Sequence, residues 1–458
     1  MKMQLSEIAR ALEIQDVPDA WNDIEVNNVH FDSRKLLPGS LFVPLKGERD
    51  GHTFIKNAVD AGAVATLWSK DQAELPDGIP ALVVDDPLQA LQTLAHYYLD
   101  KINPKVVAIT GSNGKTTTKD MTAAILASQF NVVKTEANFN NEIGVPMTIL
   151  GMNSNTEILV VELGMDRPGQ LDFLSKIVQP DTAVITMIGE AHIEFFKTRD
   201  RIADAKMEIT HGLKEDGVFI YNGDEPLLTE RAKEVEADQF TFGMQSSNQL
   251  YASNIEGNDV ETSFSINLDA DKRFEIPMIG QYNVTNALAA IAVSQNYHIK
   301  LDDAVKALKH FDLTKNRTEW LDGRKGERIL SDVYNSNPTA VKLVLASLAK
   351  TETKGRRIAV LGDMLELGEQ AQSMHEGLKD SLDPNEIEEV FLVGQEMNNL
   401  YKALDGKYDE SHLHYYQASE LNHLSSDLEN LITADDIVLL KASHGIHLET
   451  VVNELTKN

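Results

Sequence analysis

"VVAITGSNGKTTTKD", residues 106 to 120, decides the reading of the chain. Five β-branched or apolar residues run into Gly111, Ser112, Asn113, Gly114 and Lys115, and the helical pattern "TTTKDMTAAILASQF" begins where the glycine loop stops. Strand, glycine turn and helix in that order leave the first N–H groups of the helix unpaired. They point, with the positive end of the helix dipole, at whatever sits over the loop. Lys115 adds a point charge and Thr116 a hydroxyl suited to Mg²⁺, so the segment predicts a site for the phosphates of a nucleotide. The usual G-x-x-x-x-G-K-[ST] spacing would put a glycine at Ile109, and here the first glycine is Gly111, which makes this a short variant of the loop. Thr117, one residue into the helix, belongs to the same cradle.

A triphosphate with magnesium needs oxygen or imidazole ligands from other segments. Glu162 closes the apolar run "EILVVELG", at the carboxyl edge of an expected parallel sheet where ligands collect. His192 follows the next such run, in "DTAVITMIGEAH". Their positions after consecutive strands predict a metal role for both.

Outward from the loop, strand-like runs alternate with helical stretches: "EILVVELG", "DTAVITMIG" and "GVFIYNGD" on one side, "RILSDVY", "RRIAVLGD", "EEVFLVG" and "DDIVLLKAS" further on. This grammar predicts an α/β protein with a central parallel sheet carrying the phosphate loop and a C-terminal Rossmann-like unit. The first hundred residues read as a smaller α/β unit. A chain of 458 residues exceeds one ordinary core. The expected domains are 1–101, 102–313 and 314–458, with "DLTKNRTEWLDG" as the second linker and the boundary near Leu313.

Charge and composition exclude several classes of function. With 71 acidic against 42 basic side chains the net charge is −29, which repels a nucleic-acid backbone and anionic lipid. No polynucleotide partner and no membrane insertion are expected. The absence of cysteine rules out disulfides, thiolate metal sites and a cysteine nucleophile, and fits a reducing compartment. The N-terminal "MKMQLSEIARALEI" has helical spacing with charges inside it rather than the apolar centre of a signal peptide, so the expected location is the cytoplasm.

Taken together and in order, "ITGSNGKTTTKD", "NFNNEIGVP", "VELGMDRPGQ", "GEAHIEFF", "QYNVTNALAA", "SDVYNSNP" and "LGDMLELGE" resemble the Mur ligases over essentially the whole chain. The resemblance implies a three-domain, ATP- and Mg²⁺-dependent ligase. It would form an acyl phosphate on a UDP-N-acetylmuramoyl-tripeptide and pass that acyl group to the amine of D-alanyl-D-alanine. Carried over to this chain, it implies that Lys115 holds the β- and γ-phosphates and that Thr116, Glu162 and His192 surround the metal ions. Lys206, in "IADAKMEI", matches a lysine that the family carboxylates with CO₂; on the residues alone it reads as an ordinary helix-surface lysine.

Asn283 and Asn286 match a pair near the adenine, with Tyr282 where the family has histidine. Arg317 matches the linker arginine, preceded by Asn316 instead of glycine, and Asp332 matches an acid that reaches the ribose. Ser33, Arg34 and Lys46 fall in motifs that resemble those for the uridine nucleotide. Asn140, Asn141, Arg167, Asn335 and Asn337 would meet the peptide substrate. A monomer is expected. The alternatives are a ligase that adds the third amino acid of the peptide, a folylpolyglutamate synthase, or a nucleotide-binding scaffold without activity.

Overall fold

The computed structural model describes residues 1–15, 17–72, 74–258, 260–312 and 314–456; Leu313, the expected second boundary, lies outside the described residues. The strand Lys105–Thr110, buried from Val106 onward, lies inside a nine-stranded sheet between Ile158–Glu162 and Thr182–Ile185. Beyond Ile158–Glu162 comes Val132–Lys134; beyond Thr182–Ile185 come Val218–Asn222, Asp238–Gly243 and Leu250–Gly257, all parallel. Helices connect these strands up to Asp238–Gly243, so both faces of the central strands are covered and those strands carry near-continuous apolar runs. The chain leaves Lys105–Thr110 toward one side and later returns on the other, and the crevice at such a reversal is where an open parallel sheet binds ligands.

The sheet is not purely parallel. Thr262–Ile266 and Asp269–Ile276 extend it as an antiparallel hairpin, with Phe264 and Phe274 stacked at 5.4 Å between ring centres. A two-residue connection cannot return a chain to a parallel register, so this pair had to be antiparallel. A second correction falls in "DLTKNRTEWLDG". Glu319–Asp322 is no linker but an antiparallel edge strand on Arg328–Asp332, with the Arg328 guanidinium 4.5 Å above the Trp320 ring.

The remaining C-terminal strands, in the order Arg328–Asp332, Ile437–Lys441, Arg357–Gly362, Glu389–Val393 and Leu413–Tyr416, are parallel, as a Rossmann-like unit requires. At the N-terminus, Asn28–His30, Ser40–Phe42, Ala63–Ser69 and Ala81–Val84 form a parallel four-stranded sheet. The helix Ile55–Asp60 between the second and third of these strands is short, because the chain turns into the strand at Ala63. No helix among the described residues is long and apolar enough to cross a membrane.

Asp181 fixes the start of the phosphate-loop strand. Its carboxylate accepts from Lys105 Nζ at 2.7 Å, Lys214 Nζ at 2.8 Å and the Val106 N–H at 2.9 Å. Burial pushes its pKa up, but these donors overcome that and hold it below the ordinary carboxylate value. A depressed folded-state pKa contributes stability above the unfolded pKa, and that contribution is lost as pH falls through the folded value. Asp181→Asn is therefore expected to cost about 1–3 kcal/mol in urea unfolding at pH 7. The difference from the parent should shrink in acid; a gap equally wide at pH 3 would contradict the assignment.

Candidate active site

The loop after Thr110 is tied down before any ligand arrives. Ser112 N–H donates to the Met187 carbonyl at 2.9 Å, and Thr186 Oγ1 donates to the Asn113 carbonyl at 2.6 Å. Two glycines permit this approach. A Cβ on Gly111 would stand 1.8 Å from Thr186 Oγ1, and one on Gly114, at φ 81°, would stand 2.2 Å from Asn286 Oδ1. The helix Lys115–Leu126 begins immediately after Gly114. Lys115 Nζ donates to the Gly111 carbonyl at 2.9 Å, which brings its charge inside the curl of the loop. Burial pushes its pKa down, Glu162 opposes the fall and Arg317 adds to it. Such a cation gains from an incoming polyanion more than a solvated one would.

Glu162, 2% exposed, ends its strand beside the loop. Thr116 Oγ1 donates to one carboxylate oxygen at 2.7 Å and Asn140 Nδ2 to the other at 2.8 Å. Lys206, on the helix Arg199–Met207, is 3% exposed and not on the surface, contrary to its isolated sequence reading. Its pKa is pushed well down, first by burial and then by the charge of Lys115, with Glu162 opposing. His192, at φ 62° ahead of the short helix Ile193–Phe196, puts Nδ1 on the Glu366 carboxylate from the C-terminal sheet unit. Lys115, Glu162, Lys206 and His192 all border one cleft of roughly 1060 Å³. Among the described residues no three His, Cys, Asp or Glu side chains form a metal cage of their own. The donors gathered here are one buried carboxylate, one hydroxyl and a lysine whose pKa burial lowers. That is an oxygen-rich set suited to a hard cation that also binds phosphate.

A second hollow of roughly 350 Å³ opens on the other side of the loop, lined by Asn113, Gly114, Thr117, Asn283, Asn286 and Asp332 among others. The helix Gln281–Asn296 packs on the loop helix and supplies the asparagines. Asn283 Nδ2 donates to the Ile279 carbonyl at 2.8 Å, and Asn286 Nδ2 donates to Asn283 Oδ1 at 3.1 Å, so the pair is held as a unit. Tyr282 lines the same hollow with its hydroxyl buried, and burial pushes its pKa far up, so it stays a neutral phenol. Arg317 borders both spaces and stacks on Tyr334 at 4.0 Å; its Nε is buried without a hydrogen-bond partner among the described residues. Asn316, where glycine is usual, sits at φ 61°, a conformation asparagine tolerates better than most residues.

Asn335 lines both spaces, while Asn337 caps the helix Pro338–Lys350 and exchanges hydrogen bonds with Asn113 of the loop at 2.7 and 3.2 Å. Asn140 and Asn141 border the large cleft, and Arg167 stacks its guanidinium 3.5 Å from the Phe195 ring. The three uridine candidates lie elsewhere. Ser33 and Arg34 line neither space, with Arg34 exposed and paired with Asp32. Lys46 pairs with Asp71 at 2.7 Å and borders a separate hollow of roughly 350 Å³.

Sequence reasoning missed Lys441, Glu366 and His444. Lys441, with its side chain 2% exposed, donates to Asp332 Oδ2 at 2.6 Å and to the Asn335 carbonyl at 2.8 Å. The signal was a lysine closing the apolar run "DDIVLLKAS", since a cation at a buried strand end needs a fixed anion. Glu366, inside "LGDMLELGE", and His444, one residue past "DDIVLLKAS", line the large cleft.

Three family models divide the chain: "Mur ligase family, catalytic domain" over residues 25–99, "Mur ligase middle domain" over 109–294 and "Mur ligase, glutamate ligase domain" over 316–444. A phosphate loop at the reversal of a parallel sheet, faced by a Rossmann-like unit and matched by these models, defines the class: the chain belongs to the Mur ligase family. Within that family it is similar, almost end to end, to the ligases that add D-alanyl-D-alanine. The Bacillus subtilis UDP-N-acetylmuramoyl-tripeptide–D-alanyl-D-alanine ligase is 40% identical over 434 residues, 94% of each chain. A crystal structure of MurF from Acinetobacter baumannii superposes with a TM-score of 0.87 at 29% identity, covering 100% of this chain and 99% of that one. MurF from Thermotoga maritima in complex with ADP gives 0.81 at 28%, covering 94% and 97%.

Proposed function

We propose that this chain is an ATP-dependent ligase joining D-alanyl-D-alanine to UDP-N-acetylmuramoyl-tripeptide, which yields the pentapeptide precursor of peptidoglycan with ADP and phosphate. The carrying observation is the convergence of Lys115, Glu162, His192 and Lys206 on one cleft that meets a second hollow at Arg317. ATP would lie across the loop, its adenosine toward Asn283, Asn286 and Asp332 and its γ-phosphate toward the large cleft. Mg²⁺ fits the Thr116 and Glu162 oxygens; when bound it neutralises the triphosphate.

The tripeptide's terminal carboxylate attacks the γ-phosphorus and the bond to the β-phosphate oxygen breaks, leaving ADP and an acyl phosphate. The amine of D-alanyl-D-alanine then adds to the acyl carbon. Collapse of the tetrahedral intermediate breaks the C–O bond and expels inorganic phosphate. Neither step needs a protein nucleophile, so positioning and charge neutralisation carry the rate. Lys115 and Arg317 supply positive charge, and the loop N–H groups hold the phosphates. Lys206, whose pKa burial lowers, would take up CO₂ on its amine and present carbamate oxygens as ligands. Asn140, Asn141, Arg167 and Asn335 meet the peptide, Asn337 holds the loop through Asn113, and Ser33, Arg34 and Lys46 meet the uridine nucleotide. We propose domains of 1–101, 102–313 and 314–458, which the separate sheets support, and a cytoplasmic monomer.

Phosphate release from ATP is the test. It is expected only when UDP-N-acetylmuramoyl-tripeptide and D-alanyl-D-alanine are both present, with L-lysine or diaminopimelate at the third peptide position assayed in turn. Release supported by L-glutamate with a folate, or no release with any acceptor, would defeat the reading.

A further inference from the structure

After the strand Arg357–Gly362, residues 363–370 leave their own sheet and lie on the central part of the chain. The base of this loop is pinned: Met364 N–H donates to His375 Nε2 at 3.0 Å, Leu365 N–H to Ser443 Oγ at 2.9 Å, and Met397 N–H to Asp363 Oδ1 at 2.8 Å. Its tip turns through left-handed backbone at Glu366, φ 61°, and Gly368, φ 55°. A glutamate rarely holds that conformation without compensation. Here the compensation comes from across the domain junction. The Glu366 carboxylate meets His192 Nδ1, its carbonyl accepts from the Glu194 N–H at 3.0 Å, and Gln370 Nε2 donates to the Lys197 carbonyl at 3.2 Å. A Cβ built on Gly368 would stand 3.2 Å from Glu194 Cβ. All of these contacts fall on residues 192–197.

A carboxylate on one ring nitrogen of a histidine fixes which nitrogen carries the proton and how the ring is turned, leaving Nε2 with its lone pair. His192 borders the reaction cleft, yet the carboxylate that orients it comes from the C-terminal unit. We propose that Glu366 is a positioning residue for His192 and that residues 363–370 form a clasp, so that the imidazole is correctly turned only while the C-terminal unit is seated. The inference rests on the cleft being the site of reaction. It makes completion of the site conditional on closure, and opening a requirement for product release.

Glu366→Ala is expected to lower kcat ten- to a hundredfold, as loss of such an orienting partner does elsewhere, with KM for ATP within about twofold. Glu366→Gln, whose amide oxygen still accepts from Nδ1–H, should recover part of that loss; a merely structural role would not separate the two. Because the chain has no cysteine, Glu194→Cys with Gly368→Cys is a clean second probe. The Cβ separation is only a few tenths of an ångström below the usual disulfide range. Oxidation in the presence of substrates should give an internally cross-linked, inactive protein that reductant returns to the activity of the reduced double variant. Wild-type kcat in Glu366→Ala, failure of the pair to cross-link, or a cross-linked form turning over as fast as the reduced one would each overturn the clasp. The parent enzyme's two-substrate phosphate release is measured alongside, so failure of the clasp is distinguishable from failure of the proposed reaction.

Discussion

Lys115→Ala is expected to reduce two-substrate phosphate release on the order of a thousandfold while leaving the fold intact. The lysine's charge lies inside the loop, bonded to the Gly111 carbonyl at 2.9 Å, where fixed cations act on developing phosphate charge with little solvent screening. Stability points the other way. Burial holds the Lys115 pKa below its ordinary value, so the folded state binds that proton less tightly than the unfolded chain does. Removing the amine therefore takes away a cost, and urea unfolding at pH 7 should show no loss. Turnover within tenfold of the parent would mean the loop is only structural. Inactivity accompanied by unfolding would mean that the lysine is needed for the fold.

The second large effect is expected at Lys206. Lys206→Met keeps the length and apolar stem of a side chain that is 3% exposed, but removes the amine. If that amine works as a carbamate oxygen ligand, kcat should fall a hundredfold or more, comparable to losing a transition-state donor. Protein equilibrated with ¹³C-bicarbonate should show a carbamate carbon signal that Lys206→Met lacks. The physical precondition is in place, since burial and the neighbouring charge of Lys115 push the amine toward its neutral, nucleophilic form. Near-normal kcat in Lys206→Met would remove the role, and absence of the signal from active protein would remove the carbamate.

The loop and its strand were legible because glycine spacing, a lysine and a helix start are local facts that one short segment carries. The parallel core was legible for the same reason: runs such as "DTAVITMIG" are buried on both faces and read as unbroken apolar stretches. Strands 262–266 and 269–276 were harder, since "DADKRFEI" has one wet face and alternates polar residues that resemble a loop. Lys206 shows the limit most clearly. Its helix "RDRIADAKM" is polar enough to read as solvated, and nothing local reveals that Glu162, Lys115 and the C-terminal unit close over it. Glu366 is the same case across a domain junction: its partner His192 is 174 residues away, beyond what periodicity or spacing can see.

The central claim is that a carboxylate of the peptide, and not water, takes the γ-phosphoryl group of ATP. The most direct test supplies UDP-N-acetylmuramoyl-tripeptide carrying ¹⁸O in its terminal carboxylate, with ATP and D-alanyl-D-alanine, and determines the mass of the phosphate released. Transfer of one labelled oxygen into each inorganic phosphate, with the other retained in the new amide, is the predicted result. Unlabelled phosphate formed alongside the pentapeptide product would contradict it.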